Sequence, residues 1–223
     1  MPPSVLAIET SGAVCSAAAL SGDAVCTRSV RGGRRHDAEL MGMIDAVLAE
    51  SELARGDVHA IAVSAGPGSY TGLRIGVSVA KALAEALGRP LVAVPSLVAC
   101  ALASELEGNL LVAFPSRRKE VFAARVLVSE RTARQVGDTL AGEPAAILSS
   151  LADGLTAVVG PGADRIDRER ARVSECDAGA VARVGAAMLS IGEVVDPELF
   201  EPYYLKEFVA GTPTTSVFAR LPF

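Results

Sequence analysis

AIAVSAGPGSYTGLRIGVSVAKALAEALGRPLVAVPSL, residues 60–97, carries most of the fold signal. Ala60 to Ser64 is a short apolar run, the mark of a buried strand. It leads straight into Gly66-Pro67-Gly68, and Thr71 is placed to cap a helix running to about Leu87. Leu91 to Val94 predicts a second buried strand, and Ser96 to Glu105 a further helix. A glycine-rich turn between strand and helix offers backbone N–H groups at a helix N-terminus, which suits an anion. The Walker ending Gly-Lys-Ser/Thr is absent, and Gly-Pro-Gly does not fit G-x-G-x-x-G, so neither nucleotide fingerprint is met. Alone, such a loop marks a tight turn as often as a ligand site.

Upstream, Val5 to Ile8 predicts a buried strand. Cys15 to Leu20 and Ala24 to Val30 form a hairpin about Ser21-Gly22-Asp23, a register that sets Cys15 opposite Ser29 and Cys26 opposite Ala18. Residues 37–50 read as a helix. Downstream the order returns. Leu110 to Phe114 is a strand, Val121 to Val128 and Thr132 to Thr139 a hairpin, 143–152 a helix, and Ala157 to Val159 a strand entering Gly160-Pro161-Gly162. A helix from Ala178 to Ser190 follows. Repetition this weak also arises by chance, but duplication accounts for more of the order. It predicts an α/β protein on the actin-like ATPase (ASKHA) plan: two ribonuclease H-like lobes, each a mixed sheet flanked by helices. The expected division is an N-terminal lobe at 1–106 and a smaller C-terminal lobe with an extended tail at 107–223.

A chain of 223 residues with 50% apolar and 21% charged residues is globular, and large enough to need no disulfide or metal for its core. No apolar run reaches the ~18 residues of a membrane helix. MPPSVLAIETSG lacks a basic stretch and a long apolar stretch, so no secretory signal is visible and a cytoplasmic protein is expected. A net charge of −5 argues against unaided tRNA or DNA binding. The four cysteines, Cys15, Cys26, Cys100 and Cys176, show no metal-finger spacing and read as small buried apolar residues. His36 and His59, far apart, make no zinc site by themselves.

Three further features have both a functional and a plain reading. Glu9-Thr10-Ser11-Gly12 ends the first strand, where actin-like folds hold the metal and phosphates of ATP; a polar turn satisfying its own backbone explains it equally. In helix 72–87, Leu73, Gly76, Val77, Ala80, Ala84 and Leu87 form one apolar face, and Ile75, Val79, Ala82 and Ala86 a second about 130° away. In helix 37–50, Leu40, Met41, Met43, Ile44, Val47 and Leu48 span about 160°, wider than one sheet-facing stripe. The excess faces either pack on each other or meet another subunit. Arg28, Arg31, Arg34 and Arg35 with Gly32-Gly33, and Arg117-Arg118-Lys119, read by default as solvated loops.

AIETSG, RRHDAELMGMIDAVL and the whole of residues 60–97 resemble the bacterial TsaB (YeaZ) family in order and spacing, and the tail PELFEPYYLKE resembles its P-x-Y-L segment. GPGSYTGLRIG is the most specific part, while residues 130–190 match weakly. The resemblance implies an actin-like fold and a non-catalytic subunit that dimerises with and activates a TsaD-like catalytic paralogue. With a TsaE-like ATPase, that pair transfers threonylcarbamoyl to the adenosine beside the anticodon of tRNA. It also implies that tRNA is engaged only through the complex, that the isolated chain forms a homodimer through the same surface, and that no membrane is involved. The paralogue's metal-binding histidines correspond here to Ser96 and Cys100, a poor iron or zinc pair. The family's D-A-R-x-x-E-x-Y motif corresponds to residues 115–122, where Arg117 and Glu120 fit but Pro115 replaces the acid. No catalytic residue, metal site or resident cofactor is therefore expected, with any weak nucleotide binding confined to the complex. Glu9, Thr10, Ser11, Gly66, Gly68 and Thr71 would be vestigial phosphate loops. The excess helix faces place Met41, Ile44, Leu48, Ile75, Val79 and Ala82 at the partner interface. The competing reading is an active actin-like ATPase or phosphotransferase; a peptidase finds neither metal ligands nor a Ser-His-Asp set.

Overall fold

The computed structural model describes residues 3–32, 36–117 and 119–204. Arg34, Arg35, Gly33, Arg118 and the tail from residue 205 lie outside them. The first half runs β1 Val5–Glu9, β2 Val14–Ser21, β3 Ala24–Arg31, α1 His36–Glu50, β4 Ala60–Gly66, α2 Tyr70–Leu87, β5 Leu91–Pro95 and α3 Ser96–Ala103. The second runs β6 Gly108–Pro115, β7 Val121–Ser129, β8 Thr132–Gly142, α4 Pro144–Leu151, β9 Ala157–Val159, α5 Ala163–Ile166, β10 Ala171–Arg172 and α6 Ala178–Ser190.

The two five-stranded sheets have orders β3-β2-β1-β4-β5 and β8-β7-β6-β9-β10. In each, the central strand pairs antiparallel with its hairpin neighbour and parallel with the strand on its other side. The duplicated two-lobe α/β plan is thus present element for element. It extends to α5 and β10, counterparts of α2 and β5 too short to give a periodic signal. Every residue of β1 and β4 is buried, as strands covered on both faces require.

Five layers result. α1 and α2 cover the outer face of the first sheet around Leu6, Ile8, Ile61 and Val63. α4 and α5 cover the outer face of the second sheet around Leu111 and Val158. α3 and α6 lie between the sheets and share one core with both inner faces. The central pair crosses over: α3, from the first half, packs on β6, β7 and β8, while α6, from the second, packs on β1, β2 and β4. Gly185 makes the second seat possible, since a Cβ there would stand 2.6 Å from the Ala62 Cβ. Residues 195–204 also return to the first lobe. Val195 bridges Leu91, Phe200 is buried in the outer core, and the Tyr203 N–H donates to the Ala65 carbonyl at 2.7 Å.

The first hairpin differs from the expected register by one residue. Ser21 pairs with Ala24 across a two-residue loop in which Gly22 has φ 60°, so Cys15 faces Val30 and Cys26 faces Ala19. A left-handed glycine lets the chain reverse in two residues, where the three-residue turn had placed the pairing one step off. The two cysteines still do not oppose each other. Cys15, Cys100 and Cys176 are buried; Cys26 is only half-buried, its Sγ 3.4 Å from Glu50 Oε2.

Candidate functional site

The turn after β1 is packed shut. Glu9 is fully buried, its Oε1 accepting hydrogen bonds from the backbone N–H and, at 2.6 Å, the hydroxyl of Ser11. Its Oε2 has no hydrogen-bond partner of ordinary geometry. Burial pushes the Glu9 pKa above the ordinary carboxylate value, and Ser11, Cys176 and Ser64 offset this only in part. Thr10, equally buried, lies beneath α2: a Cβ on Gly72 would stand 2.0 Å from its carbonyl oxygen and one on Gly76 2.1 Å from its Oγ1. Gly68 sits on Ser11 in the same way, 2.6 Å from its carbonyl oxygen to an added Cβ. Glycines at 68, 72 and 76 therefore let the loop and helix settle directly on the turn.

The helix N-terminus is partly satisfied from within. The Ser69 hydroxyl accepts from the Gly72 N–H at 3.3 Å, and the Ser69 N–H donates to the Ser11 carbonyl at 2.8 Å. Ser69, not the exposed Thr71, is the cap, because the helix begins at Tyr70, two residues earlier than its apolar period shows. Gly66, buried at φ 112°, donates its N–H to Ser96 Oγ at 3.0 Å. Of the six candidate phosphate-loop residues, the structure thus brings Glu9, Thr10, Ser11 and Gly68 together, while Gly66 bonds to Ser96 instead and Thr71 is exposed.

Between the lobes lies a cleft of about 180 Å³, walled by Pro67, Gly68 and Tyr70 on one side and Pro115, Ser116 and Arg117 on the other. Tyr203 and Tyr204 close it. The Tyr204 ring lies 4.9 Å from that of Tyr70, and the Arg74 guanidinium stands 5.5 Å over the Tyr70 ring. The turn after β6 is held by the Ser116 N–H donating to the Glu120 carbonyl at 2.9 Å. Pro115, exposed at its start, contributes no carboxylate where the first lobe has Glu9. Tyr203 and Tyr204 were missed as site residues, because only the return of the chain to β4 carries them there. A consecutive tyrosine pair after Pro202 was the available signal.

Ser96 and Cys100, which the resemblance sets against a histidine pair, are fully buried; Ser96 serves Gly66, and Cys100 Sγ lies 3.9 Å from Ser174 Oγ. Burial pushes the Cys100 thiol up to about 12 and Cys15 to about 11, so both remain thiols at neutral pH. Among the described residues no group of three or more His, Cys, Asp or Glu side chains is placed to hold a metal. Arg28 and Arg31 of the basic loop pair with Glu50 at 2.6 Å and Glu175 at 3.2 Å.

The outer helices correct part of the interface expectation. Ile44 and Leu48, placed outward by the sequence, are 1% and 6% exposed and belong to the outer core. The 160° arc of α1 is centred on Leu40, Ile44 and Val47, so its middle meets the sheet and its rims do not. Met41, on a rim, is 47% exposed. On α2 the Leu73 face is buried, Ile75 and Val79 are half-buried, and Ala82 is exposed. Met41, Ile75, Val79 and Ala82 therefore stay on or near the surface.

A family model described as TsaD, tRNA N6-adenosine threonylcarbamoyltransferase, matches residues 30–174, more than half of the chain. The chain belongs to this family. Several of the relatives it is similar to carry the TsaB name, in keeping with the TsaB (YeaZ) resemblance, and one, from a Chelativorans species and 40% identical over 48% of this chain, is named tRNA N6-adenosine threonylcarbamoyltransferase. The Haemophilus influenzae tRNA threonylcarbamoyladenosine biosynthesis protein TsaB is 34% identical over 60% of this chain and 58% of its own. The Bacillus subtilis TsaB is 36% identical over 53% and 52%. The matched region thus spans a little over half the length of these curated relatives. A solved Pseudomonas aeruginosa protein, described as uncharacterised with similarity to the peptidase YeaZ, covers 92% of this chain and all of its own with a TM-score of 0.82 at 28% identity. The actin-like two-lobe fold holds across that range. No helix among the described residues is long and apolar enough to cross a membrane.

Proposed function

We propose that the chain is a non-catalytic partner subunit in tRNA threonylcarbamoyladenosine biosynthesis, pairing in the cytoplasm with a TsaD-like catalytic paralogue. The observation that carries this reading is the state of the two inner turns. Glu9 is tied to Ser11 inside the core, and the equivalent turn of the second lobe holds Pro115, so neither presents a carboxylate to a nucleotide's metal. The TsaB-named relatives and the TsaD family support the pathway. A TsaE-like ATPase and tRNA are then met through the assembled complex, and the exposed rims of α1 and α2 form the contact, shared between homodimer and heterodimer.

Ala82→Arg tests the contact. Ala82 is exposed, so the monomer's melting temperature should be unchanged. In an interface, the unpaired arginine costs about 3–5 kcal/mol and weakens pairing more than a hundredfold. Size-exclusion chromatography with a TsaD-like protein reads the outcome, and co-elution unchanged from wild type rules the surface out. The isolated chain should also show no ATP turnover above background. Steady turnover abolished by Glu9→Ala would establish the competing ATPase instead.

A further inference from the structure

A groove of about 490 Å³ runs between the β7–β8 hairpin, α3 and α6, on a side of the molecule that the proposed pairing does not use. Its floor is apolar: Val98 and Leu102 of α3, and Val184 and Met188 of α6. Ile191, 71% exposed, stands at its mouth. Its long wall is β8, an edge strand paired only with β7.

Two observations specify what such a groove accepts. First, residues 132 to 135 of β8 line it consecutively, beside Arg131 of the preceding turn. Successive side chains of a strand point to opposite faces, so a groove touching all of them runs along the strand's edge, where unpaired backbone N–H and C=O groups lie. Second, its rim carries Arg131, Arg134 and Arg183, against one acidic residue, Glu193. These arginines make no ion pair or side-chain hydrogen bond among the described residues, whereas Arg28, Arg31, Arg55 and Arg170 each pair with a carboxylate. Three unpaired cations around an apolar floor complement an anionic, apolar occupant. No aromatic ring lines the groove, so single-stranded RNA would find nothing to stack on.

We propose that this groove docks an extended segment of a partner protein in which acidic and apolar residues alternate. The segment adds as a strand to the free edge of β8. Its apolar side chains fill the floor between α3 and α6, and its carboxylates meet Arg131, Arg134 and Arg183. Backbone hydrogen bonds supply affinity and the alternate side chains specificity.

The probe is a fluorescein-labelled peptide, acetyl-Glu-Val-Glu-Leu-Glu-Val-Asp-amide, titrated with the full chain and read by anisotropy. Saturable binding with a Kd below about 100 µM is expected. Arg134→Glu with Arg183→Glu should weaken it at least tenfold and favour the lysine-for-acid peptide. Ala187→Trp, an exposed groove position, should block the acidic peptide with an unchanged melting temperature, which keeps the test open if the Arg183 variant misfolds. N-methylation of alternate peptide amides should abolish binding in one register. Absence of saturable binding, equal binding of the basic peptide to wild type, or wild-type affinity in Ala187→Trp would overturn the proposal. So would tighter binding of a single-stranded oligonucleotide, or an Ala187→Trp change in oligomeric state, which would make the occupant RNA or a second copy.

Discussion

Replacing Gly72 or Gly76 with alanine should destabilise the protein, although alanine is the better helix former. Inside a free helix the exchange gains about 1 kcal/mol. Here the new methyl carbon has no room: it would lie 2.0 Å from the Thr10 carbonyl oxygen at position 72, and 2.1 Å from Thr10 Oγ1 at position 76. Ordinary carbon contacts begin near 3.4 Å, so α2 would have to lift from the turn by more than an ångström. Overpacking of this kind costs about 1–3 kcal/mol and at times more, and contact with rigid backbone belongs at the upper end. Against the propensity gain, a net loss of about 2 kcal/mol is expected for Gly72→Ala, which lowers Tm by about 4–8 °C in a chain of this size. The two sites differ in what they strike, and Thr10→Ala separates them. It removes the Oγ1 opposing Gly76 but leaves the carbonyl opposing Gly72. The Thr10 hydroxyl has no hydrogen-bond partner, so its removal breaks no bond. Thermal melts of the single and double variants should show favourable coupling of about 1 kcal/mol or more between Thr10→Ala and Gly76→Ala, and almost none with Gly72→Ala. A rise in Tm for Gly72→Ala, or equal rescue of both, would refute the close-packing argument.

Burial raises the Glu9 pKa in the folded chain, so the native state holds a proton that the unfolded chain has released between the ordinary and the raised value. Stability should therefore fall as pH rises through that window, and Glu9→Gln should flatten the fall while adding little at acid pH; Tm against pH for both proteins reads this, and parallel curves would place the carboxylate's charge in contact with solvent. Of the four thiols, Cys26 alone is not buried. Dithionitrobenzoate should accordingly modify one thiol of the native protein ahead of the rest, Cys26→Ser should remove that phase, and Cys15, Cys100 and Cys176 should respond only on unfolding.

The sequence alone determined the architecture, because strand runs, hairpin turns and helix periods are local signals and their repeated order is a topology. The boundaries of α6 at Ala178 and Ser190 and of β9 at Ala157 and Val159 follow from such signals. The loss of an acid at Pro115 is legible only through the resemblance to the family's D-A-R-x-x-E-x-Y motif. Tertiary structure decided what local pattern leaves degenerate. A helix with a wide apolar arc states how much surface it must bury but not which part meets the sheet; packing against Leu6 and Ile8 turned Ile44 and Leu48 inward and left Met41 out. One left-handed residue, Gly22, shifted the hairpin register. The crossing of α3 and α6 between the sheets, the return of Tyr203 and Tyr204 to the cleft, and the meeting of β8 with Arg183 join residues far apart in the chain. Only the folded core holds them together, since each contact becomes favourable once the entropy of closing its long loop has been offset by burial elsewhere.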